Sequence, residues 1–285
     1  GSYCDIEIHK DINMSRFISK RGFLIQKRVD RDAIINALRP IHKTIFSHPD
    51  NKNLSKILIA SELMPWSTLG KGLIEKDYHS YYQCLSSHIE YLKETDLIEK
   101  IKTHKSNPLV GQFASDEATM SKKEVRQKYP SHYDRRTYRA LDDAPIIDLN
   151  WYEQGCNIYA EQLELYGKEG EIVIKPFAIL KYFYEDGTEK VQEKNDTNLR
   201  EYGLMDDFKV VPLNDMQFAI DETYHFYNAI VGDNTTEGIM IKPDTMWIKD
   251  AVPAFKVRNN TYLYLIYGVN FGVDFDYYLE RRKVG

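Results

Sequence analysis

The chain has 285 residues, of which 42% are hydrophobic and 28% charged, and it carries a formal net charge of -5. This composition is typical of a folded globular protein and excludes a disordered chain. No apolar run approaches the roughly 20 residues of a membrane-spanning helix, and the first residues do not resemble a secretion signal. The three cysteines lie far apart, which argues against a disulfide framework and a cysteine-based zinc site. We therefore expect a cytoplasmic protein.

Strands are predicted for much of the first part of the chain. Alternating apolar residues at 3–8 predict a half-buried strand, and residues 17–25 predict a hairpin with Gly22 in its turn. A short buried strand at 56–60 leads into the segment Glu62-Leu-Met-Pro-Trp66. Half-buried strands of this kind need a partner layer.

Helices follow the hairpin and fill the middle of the chain. Asp30 or Asp32 is expected to cap a helix that Pro40 breaks or kinks. From 76 to about 166 the apolar residues recur three and four apart, which predicts mainly helices. Within this stretch, residues 106–145 are polar and interrupted by prolines.

Strands return after residue 167. A helix capped by Asn214 and closed by Gly232 is expected among them. The predicted strands lie at 171–174, 178–184, 208–211, 238–242, 254–258 and 262–267. Strands on both sides of a helical stretch predict an α+β fold whose sheet is assembled from both ends of the chain.

Many familiar signatures of catalysis are absent. The chain has no Walker-type glycine loop and no GxGxxG, HExxH or GxSxG motif. Its eight histidines are scattered, so we interpret them as surface or packing residues rather than metal ligands. The remaining candidates are charged residues near the ends of predicted strands.

An acid and two groups of bases mark the last predicted strands. Glu237 and Lys242 flank a short apolar strand, and regular alternation would send them to opposite faces. Lys256 and Arg258 are two residues apart and share one face, where their repulsion favours an anion such as a phosphate. The alternative is an exposed edge strand protected by basic residues.

Two other residues near strand ends allow two interpretations each. Glu62 is either a hydrogen-bonded cap or a ligand to a hydroxyl group. Phe177 is either a core residue or a stacking platform. Taken one at a time, neither residue identifies a site.

The order of these motifs is more informative than any one of them. It resembles the covalent nucleotidyltransferase superfamily of polynucleotide ligases and capping enzymes. The motifs are Ser-Lys-Arg-Gly at 19–22, Glu-Leu-Met-Pro-Trp at 62–66, Lys-Pro-Phe at 175–177, Glu-Gly-Ile-Met-Ile-Lys-Pro at 237–243 and Lys-Val-Arg at 256–258.

More narrowly, the chain resembles the ligase domain of the bacterial polynucleotide kinase-phosphatase RNA-repair enzymes. Besides the segment at 62–66, the runs Gln-Leu-Glu-Leu-Tyr-Gly at 162–167, Lys-Pro-Phe-Ala-Ile-Leu at 175–180 and Tyr-Leu-Tyr-Leu-Ile-Tyr-Gly at 262–268 carry this narrower likeness. The likeness spans nearly the whole chain.

The resemblance implies a nucleotidyltransferase (ATP-grasp-like ligase) core of antiparallel sheets with a helical insertion. The first part of this core would occupy 1–75 and the second part 167–268. The insertion module would occupy 76–166, and residues 269–285 would begin a C-terminal extension.

The resemblance also implies a three-step reaction. A lysine attacks the α-phosphate of ATP, AMP passes to the 5′-phosphate of a broken RNA strand, and a 3′-OH then displaces AMP. Charge develops on phosphorus in each step, so Mg²⁺ or Mn²⁺ and fixed cations are expected. The implied partners are RNA with broken ends and the kinase-phosphatase and methyltransferase components of repair.

The roles of single residues follow from the same resemblance. Glu62 would hold the ribose hydroxyls and Phe177 would pack on the adenine. Glu237 would help to place the metal. Lys242 would contribute to nucleotide binding, and Lys256 and Arg258 would grip the α-phosphate. Lys20 stands where the family has an arginine near the sugar or phosphate, and lysine lacks the bidentate fork of arginine.

No nucleophile is assigned within the chain. The family uses the lysine of a Lys-x-x-Gly motif, and Gly1-Ser2 could end such a motif, with the lysine three positions before Gly1. Alternatively, Gly1-Ser2 is a cloning remnant, or the lysine has been lost.

Other functions remain open. The protein could be an inactive ligase-like scaffold that binds nucleotide, RNA or repair partners, or a capping guanylyltransferase that prefers GTP. The basic stretch at 122–139 could meet RNA or a partner subunit, and the sequence does not choose between them.

Overall fold

The computed structural model describes residues 2–25, 30–65, 72, 74–168, 170–195, 197–205, 207–250, 254–273, 275–276 and 280. The strands are β1 (Ser2–His9), β2 (Arg16–Ser19), β3 (Leu54–Met64), β4 (Val173–Tyr184), β5 (Glu189–Val191), β6 (Gly238–Ile241) and β7 (Phe255–Arg258). The helices are α1 (Arg31–Phe46), α2 (Ser80–Glu94), α3 (Leu97–Lys105), α4 (Pro108–Thr119), α5 (Lys122–Lys128), α6 (His132–Asp143), α7 (Leu149–Gly167), α8 (Thr197–Glu201), α9 (Met216–Val231) and α10 (Asn260–Tyr267).

Two further short helical turns and one π-helical segment complete the described structure. They are Ile12–Met14, Pro49–Asn51 and Ile74–His79. The chain divides into two compact units, of which the first comprises residues 1–79 with 159–285 and the second comprises residues 80–158.

A five-stranded antiparallel sheet forms the centre of the first unit. Its order is β2-β1-β3-β4-β5, so strands from both ends of the chain are paired, as the sequence predicted. One face of the sheet packs on α1. Side chains of the sheet and of α1 are buried there together: Cys4, Ile6, Ile8, Ile57, Ile59, Ile34, Leu38 and Ile45.

Helix α1 confirms the predicted cap but not the predicted break. The Asp30 carboxylate accepts a hydrogen bond from the backbone N–H of Asp32, and the helix then continues through Pro40 to Phe46. Proline removes one helical hydrogen bond. Leu38 and Ile41, on either side of Pro40, are both buried, so packing on the sheet supports the helix on both sides of the proline.

Strand β4 joins two predicted strands into one. Pro176 lies inside it, beside a shift in register at which Ala60 pairs with Ala178 and Ser61 pairs with Pro176. Phe177 is the extra residue of this bulge. The shift interrupts the regular ladder beside Pro176, and such irregular places in a sheet are where prolines are tolerated.

The predicted hairpin at 17–25 is present, because the N–H of Ser19 donates to the carbonyl of Phe23 and the N–H of Ile25 donates to the carbonyl of Phe17. Strand β2 ends at Ser19, Gly22 takes a positive φ of 80° in the turn, and one isolated bridge joins Ile18 to Leu24. The predicted cap at Asn214 is wrong by one residue. The cap of helix α9 is Asp215, whose carboxylate accepts a hydrogen bond from the N–H of Phe218.

Two predicted strands are wrong. Residues 208–211 form no strand, and residues 262–267 lie in helix α10. Asn259 caps that helix by accepting from the N–H of Thr261, and Tyr262 and Leu265 are buried three residues apart. A short apolar run is compatible with the periodicity of a strand and with that of a helix. The cap at Asn259 therefore determines that a helix forms here.

The second unit is helical. Helices α4, α5 and α6 meet around Phe113, whose side chain is fully buried. Its ring lies 5.0 Å from the ring of Tyr129 and 5.6 Å from that of Tyr138. The polar and proline-rich sequence at 106–145 therefore encodes short capped helices around an aromatic centre.

We predict that Phe113→Ala destabilises this helical unit by about 3–5 kcal/mol, because it leaves a large cavity among three helices. Hydrogen exchange should show lost protection in α4 to α6. Leu109 lies on the same helix, and its side chain is 47% exposed. Leu109→Ala should therefore lower the free energy of unfolding by less than about 1 kcal/mol. Equal effects of the two variants would contradict the assignment of Phe113 as the centre of the unit.

Candidate functional site

Three directly paired residues lie side by side on neighbouring strands of the large sheet. Tyr3 on β1 pairs with Glu62 on β3, and Glu62 pairs with Lys175 on β4. Side chains of directly paired residues project from the same face. Since the neighbouring Cys4 belongs to the core beneath α1, these three side chains project from the opposite face of the sheet.

A second, two-stranded sheet carries the other charged residues. Strand β6 pairs with β7 so that Gly238 lies opposite Arg258 and Met240 opposite Lys256. Gly238 has a φ of 125°, and a Cβ atom there would lie 1.9 Å from the carbonyl oxygen of Val257. Only glycine therefore lets the two strands approach this closely next to Glu237.

The carboxylate of Glu237 accepts hydrogen bonds from both cations of β7. Its Oε2 atom lies 3.0 Å from Nζ of Lys256 and 2.9 Å from an Nη atom of Arg258. The predicted shared face of Lys256 and Arg258 is therefore present, and it faces a carboxylate. The backbone around Glu237 is also held, because its carbonyl accepts from the N–H of Asn259 at 2.9 Å.

Burial and charge act against each other on Glu237. Burial by itself would raise the pKa of the carboxyl group. The hydrogen bond from Lys256 and the positive charges of Lys256 and Arg258 outweigh it, so the pKa lies below its ordinary value of 4.5. The group is therefore ionised at neutral pH.

A cavity of about 160 Å³ lies where the two sheets come together. It is lined by Glu62, Tyr78, Tyr166, Glu237, Lys256, Tyr262, Leu265 and Ile266. Two carboxylates and a cation, contributed by three distant parts of the sequence, thus share one cavity with a tyrosine-rich wall.

Two tyrosines form much of this wall. The rings of Tyr166 and Tyr262 lie 5.2 Å apart, and the guanidinium of Arg258 lies 4.9 Å from the ring of Tyr262. Burial, followed by the charge of Glu237, raises the pKa of Tyr262 to about 12. The hydroxyl of Tyr166 is buried and has no hydrogen-bond partner within the described residues. Such a hydroxyl is available to a ligand.

Phe177 and Lys242 contact each other outside the cavity lining. Nζ of Lys242 donates to the backbone carbonyl of Phe177 at 3.1 Å and lies 5.0 Å from the centre of its ring. The ring of Phe177 also packs against Tyr3, 5.8 Å away, and is half-buried. Because Tyr3 pairs with Glu62, this aromatic group neighbours the cavity. Lys242 thus contacts Phe177, and Glu237 accepts hydrogen bonds from Lys256 and Arg258.

Lys20 is exposed in the turn after β2 and does not line the cavity. Its neighbour Ser19 pairs with Cys4, so Lys20 lies at the same end of the sheet as Tyr3. Trp66, the last residue of the predicted Glu-Leu-Met-Pro-Trp motif, lies outside the described residues.

The tyrosine wall was missed by reasoning on single residues. Tyr166 and Tyr262 lie in two of the sequence runs that carried the narrower resemblance, and this was their only signal. Tyr262 was also assigned to a strand. It lies instead in the first turn of helix α10, which follows β7 closely enough to bring its ring within 4.9 Å of the guanidinium of Arg258.

A preformed metal site is not evident. Within the described residues, no group of three or more His, Cys, Asp and Glu side chains could hold a metal ion. None of the helices in the same residues is long and apolar enough to cross a membrane.

We predict that the contribution of Glu237 to stability depends on pH. Because the folded-state pKa is lowered, the stabilisation is complete above the ordinary value of 4.5 and is lost as the pH falls below it. Chemical denaturation of wild type and Glu237→Gln should give a difference in unfolding free energy that shrinks between neutral and acid pH. A difference that stays constant with pH would contradict the ion pairs.

The chain is similar to a protein of the Pnkp1/Rnl/Hen1 complex, with a TM-score of 0.85 and 33% sequence identity over 99% of this chain and 70% of the matched chain. A second structure, of the Pnkp1/Rnl/Hen1 RNA repair complex, gives a TM-score of 0.82 and 34% identity over 100% of this chain and 71% of the other. No protein-family model and no curated protein sequence matches the chain.

Proposed function

Because the chain belongs to the family of the RNA ligase-like protein that it matches in the Pnkp1/Rnl/Hen1 RNA repair complex, we propose that it is an ATP-dependent RNA ligase. In this proposal the protein forms a lysyl-AMP intermediate, transfers AMP to the 5′-phosphate of a broken RNA and seals that end to a 3′-OH. The kinase-phosphatase and methyltransferase components of repair would prepare or modify the same RNA ends.

The convergence of Glu62, Glu237 and Lys256 on one cavity is the observation that carries the proposal. These residues were singled out in three separate motifs, up to 194 positions apart in the chain. A structural role for each residue alone would not require a shared cavity. The covalent nucleotidyl transfer that the motif order implies does require one.

The cavity is smaller than the roughly 300 Å³ from which sites for whole small molecules begin. It therefore encloses one part of a nucleotide. Its one cation, Lys256, suits a phosphate, and Glu62 in its lining suits the ribose hydroxyls as an acceptor. The neighbouring ring of Phe177 would then contact the adenine, with Lys242 on that ring.

The α-phosphate would take the place of one partner in an existing set of ion pairs. Oε2 of Glu237 already holds Nζ of Lys256 at 3.0 Å and an Nη atom of Arg258 at 2.9 Å. A phosphate oxygen could bind the same two cations. Preorganised cations stabilise charge on a phosphorus centre because they need little rearrangement when the charge develops. Glu237 in this view aligns both cations before the nucleotide binds.

The residues also fit a divalent metal ion. Mg²⁺ commonly uses one or two protein carboxylates and takes its other ligands from phosphates and water. Glu237 would be the protein ligand, which is consistent with its ionised state. The metal would supply a positive charge on the phosphate oxygens.

Lys20 would contact the sugar or phosphate from the end of the sheet. As a lysine it offers a point charge instead of the planar fork of an arginine, so the contact would be weaker and less directional. Its exposed position in the turn leaves it free to approach a bound nucleotide.

The nucleophile would be the lysine of a Lys-x-x-Gly motif that precedes Ser2. Strand β1 supports this, since Ser2 pairs with Leu63, the residue next to Glu62. Ser2 therefore lies next to the level of Glu62, which lines the cavity.

The test is labelling of the full gene product with ATP that carries a radioactive α-phosphate, in the presence of Mg²⁺ or Mn²⁺. A covalent protein–AMP band that chases into an adenylylated 5′-phosphate RNA and then into sealed RNA is expected. Absence of the band, with nucleotide still bound, would identify an inactive ligase-like scaffold. Stronger competition by unlabelled GTP than by unlabelled ATP would identify a guanylyltransferase.

A further inference from the structure

Positive charge is segregated within the helical unit. The 18 residues from 122 to 139 contain seven Lys and Arg against two Asp and Glu. The rest of residues 80–158 contains four Lys and Arg against ten Asp and Glu. Helices α5 and α6 therefore carry a strong positive charge on an otherwise acidic unit, and such a local field governs association with charged partners.

Three of the seven cations have structural partners. Lys128 forms an ion pair with Asp116 at 2.6 Å, and Arg139 forms a bidentate pair with Glu117. Arg135 donates to the backbone carbonyls at the turn between α5 and α6. The pairs of Lys128 and Arg139 tie both helices to α4, and the three cations together account for about half of the positive charge.

The other four cations are exposed and, among the described residues, form no ion pair. They are Lys122, Lys123, Arg126 and Arg136. The two acidic residues of the segment do not neutralise these cations. Glu124 completes the N-terminal capping box of α5 with Ser121, and Asp134 lies in the first turn of α6.

An exposed aromatic ring accompanies these cations. Tyr133 is 77% exposed and lies three residues before Arg136, so both project from the same side of α6. Tyr138, in contrast, faces Phe113 in the core of the unit. An exposed ring beside Arg136, with three more exposed cations on the preceding helix, offers stacking for a base and charge for a phosphate, which is the usual chemistry of single-stranded nucleic-acid binding.

We propose that Lys122, Lys123, Arg126, Arg136 and Tyr133 form a basic face that binds the backbone and bases of single-stranded RNA. The face lies wholly within the helical unit. The choice of RNA rather than an acidic protein rests on the proposed function and on the exposed tyrosine. The cations contact phosphates and Tyr133 stacks on one base, so binding is independent of sequence and weakened by salt.

The test is the salt dependence of binding. The intact protein is titrated with a fluorescent single-stranded RNA of about 16 nucleotides that has hydroxyl groups at both ends, between about 50 and 200 mM salt, without ATP or metal. Replacing the four cations with glutamine should reduce the slope of log K against log salt by about 3, because each phosphate contact contributes about 0.7 on single strands.

A matched control removes four other exposed cations and gives the same net charge. These are Arg39, Lys43, Lys52 and Lys249. Their replacement with glutamine should change the slope by less than about 1, the amount expected from fewer than two phosphate contacts. Tyr133→Ala should weaken binding about fivefold or more at every salt concentration and leave the slope unchanged.

Equal slopes for the two quadruple variants would overturn the proposal. An unchanged RNA slope together with lost association with a repair protein would also overturn it, and would assign the face to that protein. Because the RNA lacks a 5′-phosphate and the assay omits ATP, binding through the basic face can be found even if the protein is not a ligase. Failure of the two proposals can therefore be told apart.

Discussion

Glu237→Ala is expected to reduce formation of the protein–AMP adduct by at least about 100-fold, the usual effect of removing one charge-placing group from an active site. The carboxylate accepts hydrogen bonds from Lys256 and Arg258 and is the proposed ligand of the metal. Without it, the cations lose their alignment and the metal loses its protein carboxylate. The measurement is single-turnover labelling of the full gene product with α-labelled ATP.

The same variant separates binding from chemistry. Removing Glu237 frees two cations, so metal-free binding of nucleotide should be retained or strengthened while labelling is lost. Lys256→Ala should weaken nucleotide binding and labelling together. This contrast follows from the shared carboxylate oxygen, which neutralises both cations before a phosphate arrives.

A suitable control is Glu189→Ala, which removes another glutamate that pairs with a lysine, at the far side of the large sheet. It should label like wild type. Circular dichroism should show all three variants folded, because the side chain of Glu237 is about a quarter exposed and Lys256 more so. Full labelling of both Glu237→Ala and Lys256→Ala would remove these residues from the proposed site.

Gly238→Ala is expected to lower stability by about 3 kcal/mol or more and to abolish adenylylation. The new Cβ would lie 1.9 Å from the carbonyl oxygen of Val257 and 2.9 Å from the Cα of Arg258. Both are backbone atoms of the paired strand, so neither can move without separating β6 from β7. That separation would carry Lys256 away from Glu237.

Gly187→Ala is the matched control for Gly238. Gly187 also has a positive φ, of 84°, but nothing lies within 4 Å of its added Cβ. The control should therefore cost only about 1 kcal/mol, the strain of the backbone itself. Thermal unfolding and nucleotide binding would be measured for both. Similar losses in the two variants would show that close strand approach at Gly238 does not govern the site.

The large sheet could be predicted from the sequence because its signals are local. Alternation placed β1, and Asp30 marked the start of α1. The same local reasoning failed at 262–267, and the break that it allowed at Pro40 does not occur. At Pro40, packing on the sheet outweighed one lost hydrogen bond, and at 262–267 a cap at Asn259 selected the helix.

The candidate site could be predicted only as a list of charged residues. Their order in the chain, matched to a family, nominated Glu62, Glu237 and Lys256. It did not indicate that Glu237 binds Lys256 and Arg258 through one oxygen, nor that Tyr166 and Tyr262 form a wall. Those facts depend on the meeting of segments that are 19 to 96 residues apart in the chain.

The amino-acid sequence by itself determined the types of secondary structure over most of the chain and the identities of the charged groups, because periodicity, caps and residue chemistry are properties of neighbouring residues. Only the tertiary structure decided which charges pair. The pairing of β6 with β7 across Gly238 sets the distances around Glu237, and distance determines whether a cation and a carboxylate interact. The tertiary structure likewise distinguished the cations that hold α5 and α6 to α4 from the cations that face solvent.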